Sequence, residues 1–203
     1  NYGFAIEFYE KAAKQGNSIA MWNLGFCYKY GKGVKRDLDR SFYYYDQSAI
    51  KGNSNALNNL GNCYYKGEGV ERDFSKAVEY YKKSSEQGNS NALNNLGNCY
   101  KKGKGVTKNI SKAIQYYQQS SEQGNSNALN NLGDCYYNGE GFEKDYLKAI
   151  DYYQKSATQG NPDALNNIGY CYYHGKGVAV DYKKAVFYYK QAAELGNHKA
   201  MCS

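Results

Sequence analysis

Residues 52–88 read GNSNALNNLGNCYYKGEGVERDFSKAVEYYKKSSEQG. Around Leu60, the residues Ala56, Leu57, Gly61, Cys63 and Tyr64 fall on one arc at helical spacing. Asn53 or Ser54 fits the N-cap of that helix, and Gly67 fits its C′ position. Gly67-Glu68-Gly69-Val70 reads as a tight turn. Asp73 then caps a second helix, whose apolar stripe is Phe74, Ala77, Val78, Tyr81 and Ser85, and Gly88 ends it. Ala56 and Gly61 are small where the two helices must approach; Tyr64 and Tyr81 are large enough to interlock with them. Neither helix is long enough to be stable alone in water, so each pair has to stack on another.

Working outward, the dipeptide Gly-Asn recurs at residues 16–17, 52–53, 88–89, 124–125, 160–161 and 196–197, always 36 residues apart. A fixed period of this length marks a repeat array. The spacing predicts an all-α fold, an α-solenoid of antiparallel helix pairs, as a single array over residues 1–203. Five full repeats are expected at 17–52, 53–88, 89–124, 125–160 and 161–196. Residues 1–16 read as the second helix of a partial repeat and 197–203 as the start of another. With no starting methionine and no basic-then-apolar leader, the chain is expected to be a segment of a longer one.

Composition narrows the class. Apolar residues make up 41% and charged residues 22%, with a single proline, Pro162, which excludes disordered, collagenous and most loop-rich β architectures. No apolar run approaches a membrane span. Cys27, Cys63, Cys99, Cys135 and Cys171 follow the period, and Cys202 stands outside it. Equivalent positions in stacked repeats lie about 8–10 Å apart, beyond the roughly 7 Å a disulfide allows between Cα atoms. Free buried thiols are expected, which weakly favours a reducing compartment such as the cytosol. Neither His174 nor His198 is spaced for a metal site with paired cysteines, so no metal is expected. No catalytic or cofactor motif is present: Gly-x-Gly-Val recurs as a turn, not a phosphate loop, and Ser48-Ala-Ile-Lys51 matches Ser-x-x-Lys once without the accompanying elements. Asn109-Ile110-Ser111 is a lone glycosylation sequon.

The positions Ala56, Leu60, Gly61, Tyr64, Gly67, Gly69, Val70, Asp73, Lys76, Ala77, Tyr81 and Gly88 together resemble the pattern of the Sel-one-like repeat family, a branch of the tetratricopeptide-repeat superfamily. Aligned sets begin at Ala92, Ala128 and Ala164, and a worn one at Ala20, where Arg40-Ser41 replaces Lys-Ala. The resemblance implies a right-handed superhelix with the first helix of each repeat lining the concave side. A cysteine-rich branch of that family carries a cysteine pair within each repeat; Ser84-Ser85, Ser120-Ser121 and Ala192-Ala193 stand in the second-helix tails here, and penicillin binding proposed for that branch does not carry over.

The polar arc of the first helix, opposite the Leu60 stripe, is the candidate binding surface. It comprises Asn55, Asn58, Asn62, Tyr65 and Lys66, then Asn91, Asn94, Asn98 and Lys101, then Asn127, Asn130, Asp134 and Tyr137, then Asn166, Tyr170 and Tyr173. The first repeat departs from it with Trp22 and Phe26, an aromatic end suited to an anchor pocket or, alternatively, a stacking surface that a preceding repeat would cover. Asn58, Asn94, Asn130 and Asn166 are expected to form a ladder whose amides pair with the N–H and C=O of an extended peptide. The adjacent series Asn23, Asn59, Asn95, Asn131 and Asn167 is expected to satisfy backbone groups between helices. Tyr45, Tyr81, Tyr117, Tyr153 and Tyr189 read as core, and the tyrosines preceding them as lining the next repeat's groove.

The expected function is a non-enzymatic scaffold or adaptor that holds a protein or peptide partner in the groove. The alternative is a regulatory or oligomerising segment of a larger signalling protein, associating end to end. A net charge of +7, with lysines such as Lys32, Lys66, Lys101 and Lys104 around the turns, makes an acidic or phosphorylated segment a compatible partner. No nucleic-acid motif and no long basic run is present.

Overall fold

A computed structural model of the chain describes residues 2–196. These residues form eleven helices of thirteen residues each, and no strand occurs among them. The chain divides into two compact units, Asn1–Lys108 and Asn109–Ser203. In the first, α1 (Tyr2–Lys14), α2 (Ser18–Tyr30), α3 (Leu38–Ile50), α4 (Ser54–Lys66), α5 (Phe74–Glu86) and α6 (Ser90–Lys102) pack each against the next. In the second, α7 (Ile110–Glu122), α8 (Ser126–Asn138), α9 (Tyr146–Thr158), α10 (Pro162–His174) and α11 (Tyr182–Glu194) do the same. The fold is a helical solenoid with a repeat of about 36 residues. The expected beginning of a further repeat at 197–203, with Cys202, lies outside the described residues.

Side-chain caps set the helix ends. Asn53, rather than Ser54, caps α4: its Oδ1 accepts from the Ala56 N–H at 3.0 Å. Asn17, Asn89 and Asn125 cap α2, α6 and α8 in the same way, and Asn161 accepts from Asp163 N–H at the start of α10. The second helices α3, α5, α9 and α11 start on an aspartate, with Asp73 Oδ1 accepting from Lys76 N–H at 3.0 Å, and Asn109 substitutes for it at α7. A cap of this kind contributes about 1 kcal/mol. Gly67 ends α4 at φ 74° and sends its N–H to the Cys63 carbonyl at 2.8 Å. Two residues on, Gly69 has φ 70°, and a Cβ there would overlap the Leu38 carbonyl oxygen at the start of α3. The turn of one repeat thus rests on the second helix of the repeat before it.

The core is a seam between the helices of each pair. Ala56, Leu60, Cys63 and Ala77 are buried, and the Tyr81 ring lies on Gly61 so closely that an added Cβ would run into it. The same contact recurs at Gly25–Tyr45, Gly133–Tyr153 and Gly169–Tyr189. Tyr45, Tyr81, Tyr117 and Tyr153 are buried as expected, whereas Tyr189 is half-buried. At the far end of the pair, Ser84 Oγ donates to the Ser54 carbonyl at 2.7 Å, and Ser48 and Ser156 repeat the bond. The worn first repeat gains one of its own, because Ser41 Oγ donates to the Gly25 carbonyl at 2.8 Å.

Four of the tyrosines preceding the core series stack within their own repeat. Tyr80 stacks on Tyr64 of its own repeat (centroids 5.4 Å, planes 10° apart), and Tyr44–Tyr28, Tyr152–Tyr136 and Tyr188–Tyr172 pair alike. Lys76 lies over Tyr64 and Lys83 over Tyr80, at 5.4 and 5.5 Å, so these lysines cover ring faces as well as facing water. Phe142, where the other turns carry valine, adds a third layer by stacking on Tyr136 at 4.2 Å.

The five periodic cysteines are buried free thiols. Burial pushes Cys63, Cys99 and Cys171 up to about 11. Because the folded thiols ionise later than unfolded ones, near 9, their contribution to stability is complete below pH 9 and is lost as pH rises towards 11. The melting temperature, followed by far-UV circular dichroism, should be level from pH 7 to 8.5 and fall between 9 and 11; a level curve across that interval would contradict the assignment. At Gly61, alanine gains about 1 kcal/mol of helix propensity but meets the Tyr81 ring, and overpacking costs about 1–3 kcal/mol. Gly61→Ala should therefore lower stability in urea denaturation, and Gly61→Ala with Tyr81→Phe should not recover it, since the ring itself is the obstacle.

Candidate functional site

The first helices carry the candidate surface, and one asparagine per repeat governs it. In the first unit, Asn95 on α6 reaches back to α4, where its Nδ2 donates to Asn58 Oδ1 at 2.9 Å and to Asn62 Oδ1 at 3.4 Å. Tyr81, seated on Gly61, donates its hydroxyl to the same Asn62 oxygen at 2.8 Å. In the second unit, Asn167 donates to Asn130 at 3.0 Å and Asp134 at 3.3 Å, and the Tyr153 hydroxyl donates to Asp134 at 2.8 Å. Burial and the Asp134 carboxylate both raise the Tyr153 phenol, which keeps its proton in that bond.

This differs from the expected arrangement in two respects. Asn95 and Asn167, of the series expected to satisfy backbone groups, donate to side chains of the preceding repeat. The supposed ladder is correspondingly enclosed: Asn58 and Asn94 are only 8% and 7% exposed. Asn58 lies on the polar arc of its own helix, but the next repeat's first helix covers that arc and uses its carbonyl. Asn130 and Asn166 are half-buried, and the Asn166 Oδ1 is buried without a hydrogen-bond partner.

What remains open lies one turn further along and at the rim. Asn55 and Asn127 are exposed at the rim, where they accept from the capping amides of Asn89 (2.9 Å) and Asn161 (3.2 Å). Asn91 is exposed as well, while Asn98 and Lys101 are half-buried and carry interactions of their own. Tyr65 and Tyr137 are half-buried against Phe74 and Tyr146, the first residues of their second helices. Tyr170 and Tyr173 are 43% and 46% exposed, and together with Tyr137, Tyr182 and His174 they form a run of ring contacts. Lys66 is exposed and 3.9 Å from Glu68, whose other oxygen holds the enclosed Lys29 at 2.7 Å.

The aromatic departure in the first repeat breaks the network. Phe26 occupies the position at which Asn62 and Asp134 accept a tyrosine hydroxyl, and Trp22 the position of Asn58. The Tyr45 hydroxyl, beside Ser41 and Asn59, is consequently buried with no acceptor in hydrogen-bonding geometry, and Trp22 Nε1 is buried unpaired as well. Phe26 itself is 39% exposed and rests against Tyr30 at 4.7 Å. The sequence carried a signal for the missed tyrosine and Asn95 contacts, namely that the polar residue at 62 and 134 is lost in the repeat that also loses the one at 58.

In the second unit, Asp134, Tyr137, Asn138, Tyr153, Asn167 and Tyr170 line an open pocket of about 300 Å³. Among the described residues, no group of histidine, cysteine, aspartate and glutamate side chains is placed to hold a metal ion, and no helix is long and apolar enough to cross a membrane.

The sequence and fold have clear relatives. A family model described as Sel1 repeat matches residues 1–17, 18–53, 54–89, 90–125, 126–161 and 162–197, one residue out of step with the Gly-Asn divisions. A Sel1 repeat protein from Oxalobacter formigenes is 35% identical over 98% of this chain and 82% of its own, with a TM-score of 0.86. A protective antigen of uropathogenic Escherichia coli strains with an SLR fold is 34% identical over 98% of this chain and 43% of its own, at a TM-score of 0.78. An immunity protein from Pseudomonas aeruginosa is 26% identical over 96% of this chain and 74% of its own, at 0.71. No curated protein matches the chain. With six matched repeats spanning nearly its whole length, and with the helix pairs those repeats require, the chain belongs to the Sel1 repeat family.

Proposed function

We propose that the chain is a protein-interaction scaffold that holds a peptide or partner segment against the exposed parts of its first helices. Sel1 repeats commonly serve as such scaffolds, the all-helical solenoid of this family is typically non-enzymatic, and the fold points to protein partners. An immunity protein stands among the similar structures, which fits a protein-directed role. The observation that carries the proposal is Phe26. A half-exposed aromatic ring occupies a position where a polar residue would satisfy the buried Tyr45 hydroxyl. The unpaired hydroxyl disfavours the fold by about 1–3 kcal/mol, and contact of the ring with a partner would offset that cost.

The contacts divide by accessibility. Trp22 and Phe26 on α2 provide an apolar anchor in the first unit, and Asn55, Asn62, Tyr65 and Lys66 on α4 provide the polar part of its surface. Tyr137, Tyr170, Tyr173 and Asp134 provide a more polar aromatic surface in the second. Asn58 and Asn130 act from beneath, by accepting the amides of Asn95 and Asn167 from the next first helix.

A ladder mutation such as Asn58→Ala is a poor test, because it also releases Asn95. Phe26→Asn is cleaner. Removing a partly exposed ring sacrifices about 1–2 kcal/mol of burial, and restoring an acceptor for Tyr45 returns about 1 kcal/mol, so stability should change by no more than about 1 kcal/mol. Peptides selected by display on the immobilised protein should bind Trp22→Ala/Phe26→Asn at least tenfold more weakly in fluorescence polarisation. Equal affinity for that variant and for Tyr170→Ala/Tyr173→Ala would overturn the assignment of the binding surface.

A further inference from the structure

We infer that the edge formed by the three turns of the first unit, residues 29–37, 65–73 and 101–108, is a docking strip for an acidic segment of a partner protein, an extended stretch rich in aspartate or glutamate. The inference rests on the chain being a protein-interaction scaffold and names the chemistry of one further contact. The three turns are neighbours. Gly69 lies against the Leu38 carbonyl and Gly105 against the Phe74 carbonyl, so each turn sits on the start of the preceding repeat's second helix. Lys29 of the first turn reaches Glu68 of the second at 2.7 Å. Lys104 of the third turn shares the Phe74 ring with Arg72 of the second, at 4.8 and 5.4 Å from its centroid. Repeats stacked about 8–10 Å apart give three turns a reach of about 20 Å, the length of roughly six extended residues.

The charge of the chain is concentrated here. These turns hold ten lysines and arginines against four aspartates and glutamates, an excess of six where the whole chain has seven. Three of the four carboxylates are engaged within the unit: Asp37 and Asp73 cap α3 and α5, and Glu68 holds Lys29. Lys35, Arg36, Lys102, Lys104 and Lys108 are exposed. The turn itself does not dictate this charge. Gly31, Gly67, Gly103 and Gly139 open it in the same left-handed conformation, with φ between 66° and 74°. Yet residue 104 is lysine where Glu68 and Glu140 stand in other repeats, and residue 107 is threonine where Glu71 and Glu143 stand. The two turns of the second unit, 137–145 and 173–181, hold two lysines against four carboxylates. Like charges gathered on one edge repel one another and disfavour the fold, and an anionic partner relieves that repulsion. Two observations favour a peptide over other polyanions. The rings at this edge are engaged, Phe74 by Arg72, Lys104 and Tyr65, and Tyr30 by Phe26 at 4.7 Å, so they make poor platforms for stacked bases. Val34, Val70 and Val106 in the turns are half-buried, so they do not supply the apolar insertion that seats a surface on lipid.

The test uses rhodamine-labelled hexaglutamate amide and its hexaglutamine counterpart as probes of the intact chain in fluorescence polarisation. Hexaglutamate should bind at least tenfold more tightly than hexaglutamine and weaken as salt is raised. Lys102→Asn/Lys104→Glu installs the residues that stand at Asn138 and Glu140 in the same turn of the fourth repeat, so the turn is retained. That variant should bind hexaglutamate at least fivefold more weakly. Lys183→Asn/Lys190→Glu makes the same charge change at exposed positions of α11 and should alter affinity less than twofold. Equal binding of the two probes, or equal loss in the two double variants, would overturn the strip. Tighter binding of hexathymidylate would overturn it in favour of a nucleic acid, and preferential sedimentation with phosphatidylserine vesicles in favour of a membrane surface. An unchanged hexaglutamate affinity in Lys102→Asn/Lys104→Glu, with selected peptides still released by Trp22→Ala/Phe26→Asn, would reject the strip and leave the scaffold reading standing. The predicted hexaglutamate behaviour with no effect of Trp22→Ala/Phe26→Asn on selected peptides would reject the anchor and keep the strip.

Discussion

In four of the five repeats the ring of a second-helix tyrosine lies so close to a first-helix glycine that any side chain at that glycine would hold the two helices apart. Gly25, Gly61, Gly133 and Gly169 therefore set the separation at which Leu60 and its equivalents close over the cysteines. The contact also fixes the tyrosine hydroxyl. With its ring pinned on Gly61, Tyr81 can place its oxygen only beside residue 62, so the identity of the residue there decides whether a buried donor is satisfied. Packing, polar satisfaction and the character of the exposed surface are in this way joined at one residue per repeat.

That linkage gives the polar network two tasks. Asn62 and Asp134 secure a core tyrosine on one side and face the open surface on the other, and Asn95 and Asn167 bind them to the next repeat. Variation at residue 62 and its equivalents consequently alters recognition and stability together. Asparagine gives a neutral, satisfied surface. Aspartate keeps the bond and adds charge. Phenylalanine presents an aromatic surface and leaves Tyr45 without an acceptor.

The helix pairs were legible in the sequence because their punctuation is local. Asn53, Gly67, Asp73 and Gly88 act on the few residues around them, and a period of 36 repeats those signals without interruption. The candidate surface was legible only in part. A helical arc shows which residues point away from one helix's own core, and it is silent about a second helix laid across that arc. Asn58 appears polar and open on its own helix and is enclosed by α6. The Tyr64–Tyr80 stack was hidden for a related reason: its members are sixteen residues apart, on two helices whose rotation about their axes the apolar stripes only approximate. Phe26 and Trp22 were visible as departures from the period, but the unpaired Tyr45 hydroxyl beneath them follows only from three-dimensional placement.

The inter-repeat amide bond also has a direction. In both units the donor belongs to the later repeat and the acceptors to the earlier one, as in Asn95 to Asn58 and Asn167 to Asn130. A repeat accordingly has a donating side and an accepting side, and the stack is a vector rather than a symmetric pile. Two such surfaces meeting like to like would set donor against donor or acceptor against acceptor, whereas addition in the same sense continues the bond. The first repeat interrupts this polarity, because the positions that would accept from Asn59 are Trp22 and Phe26. Its joint with the second repeat is therefore the one whose fidelity depends on shape and apolar contact, and a different repeat placed there would be selected by fit to aromatic rings instead of by matching amides.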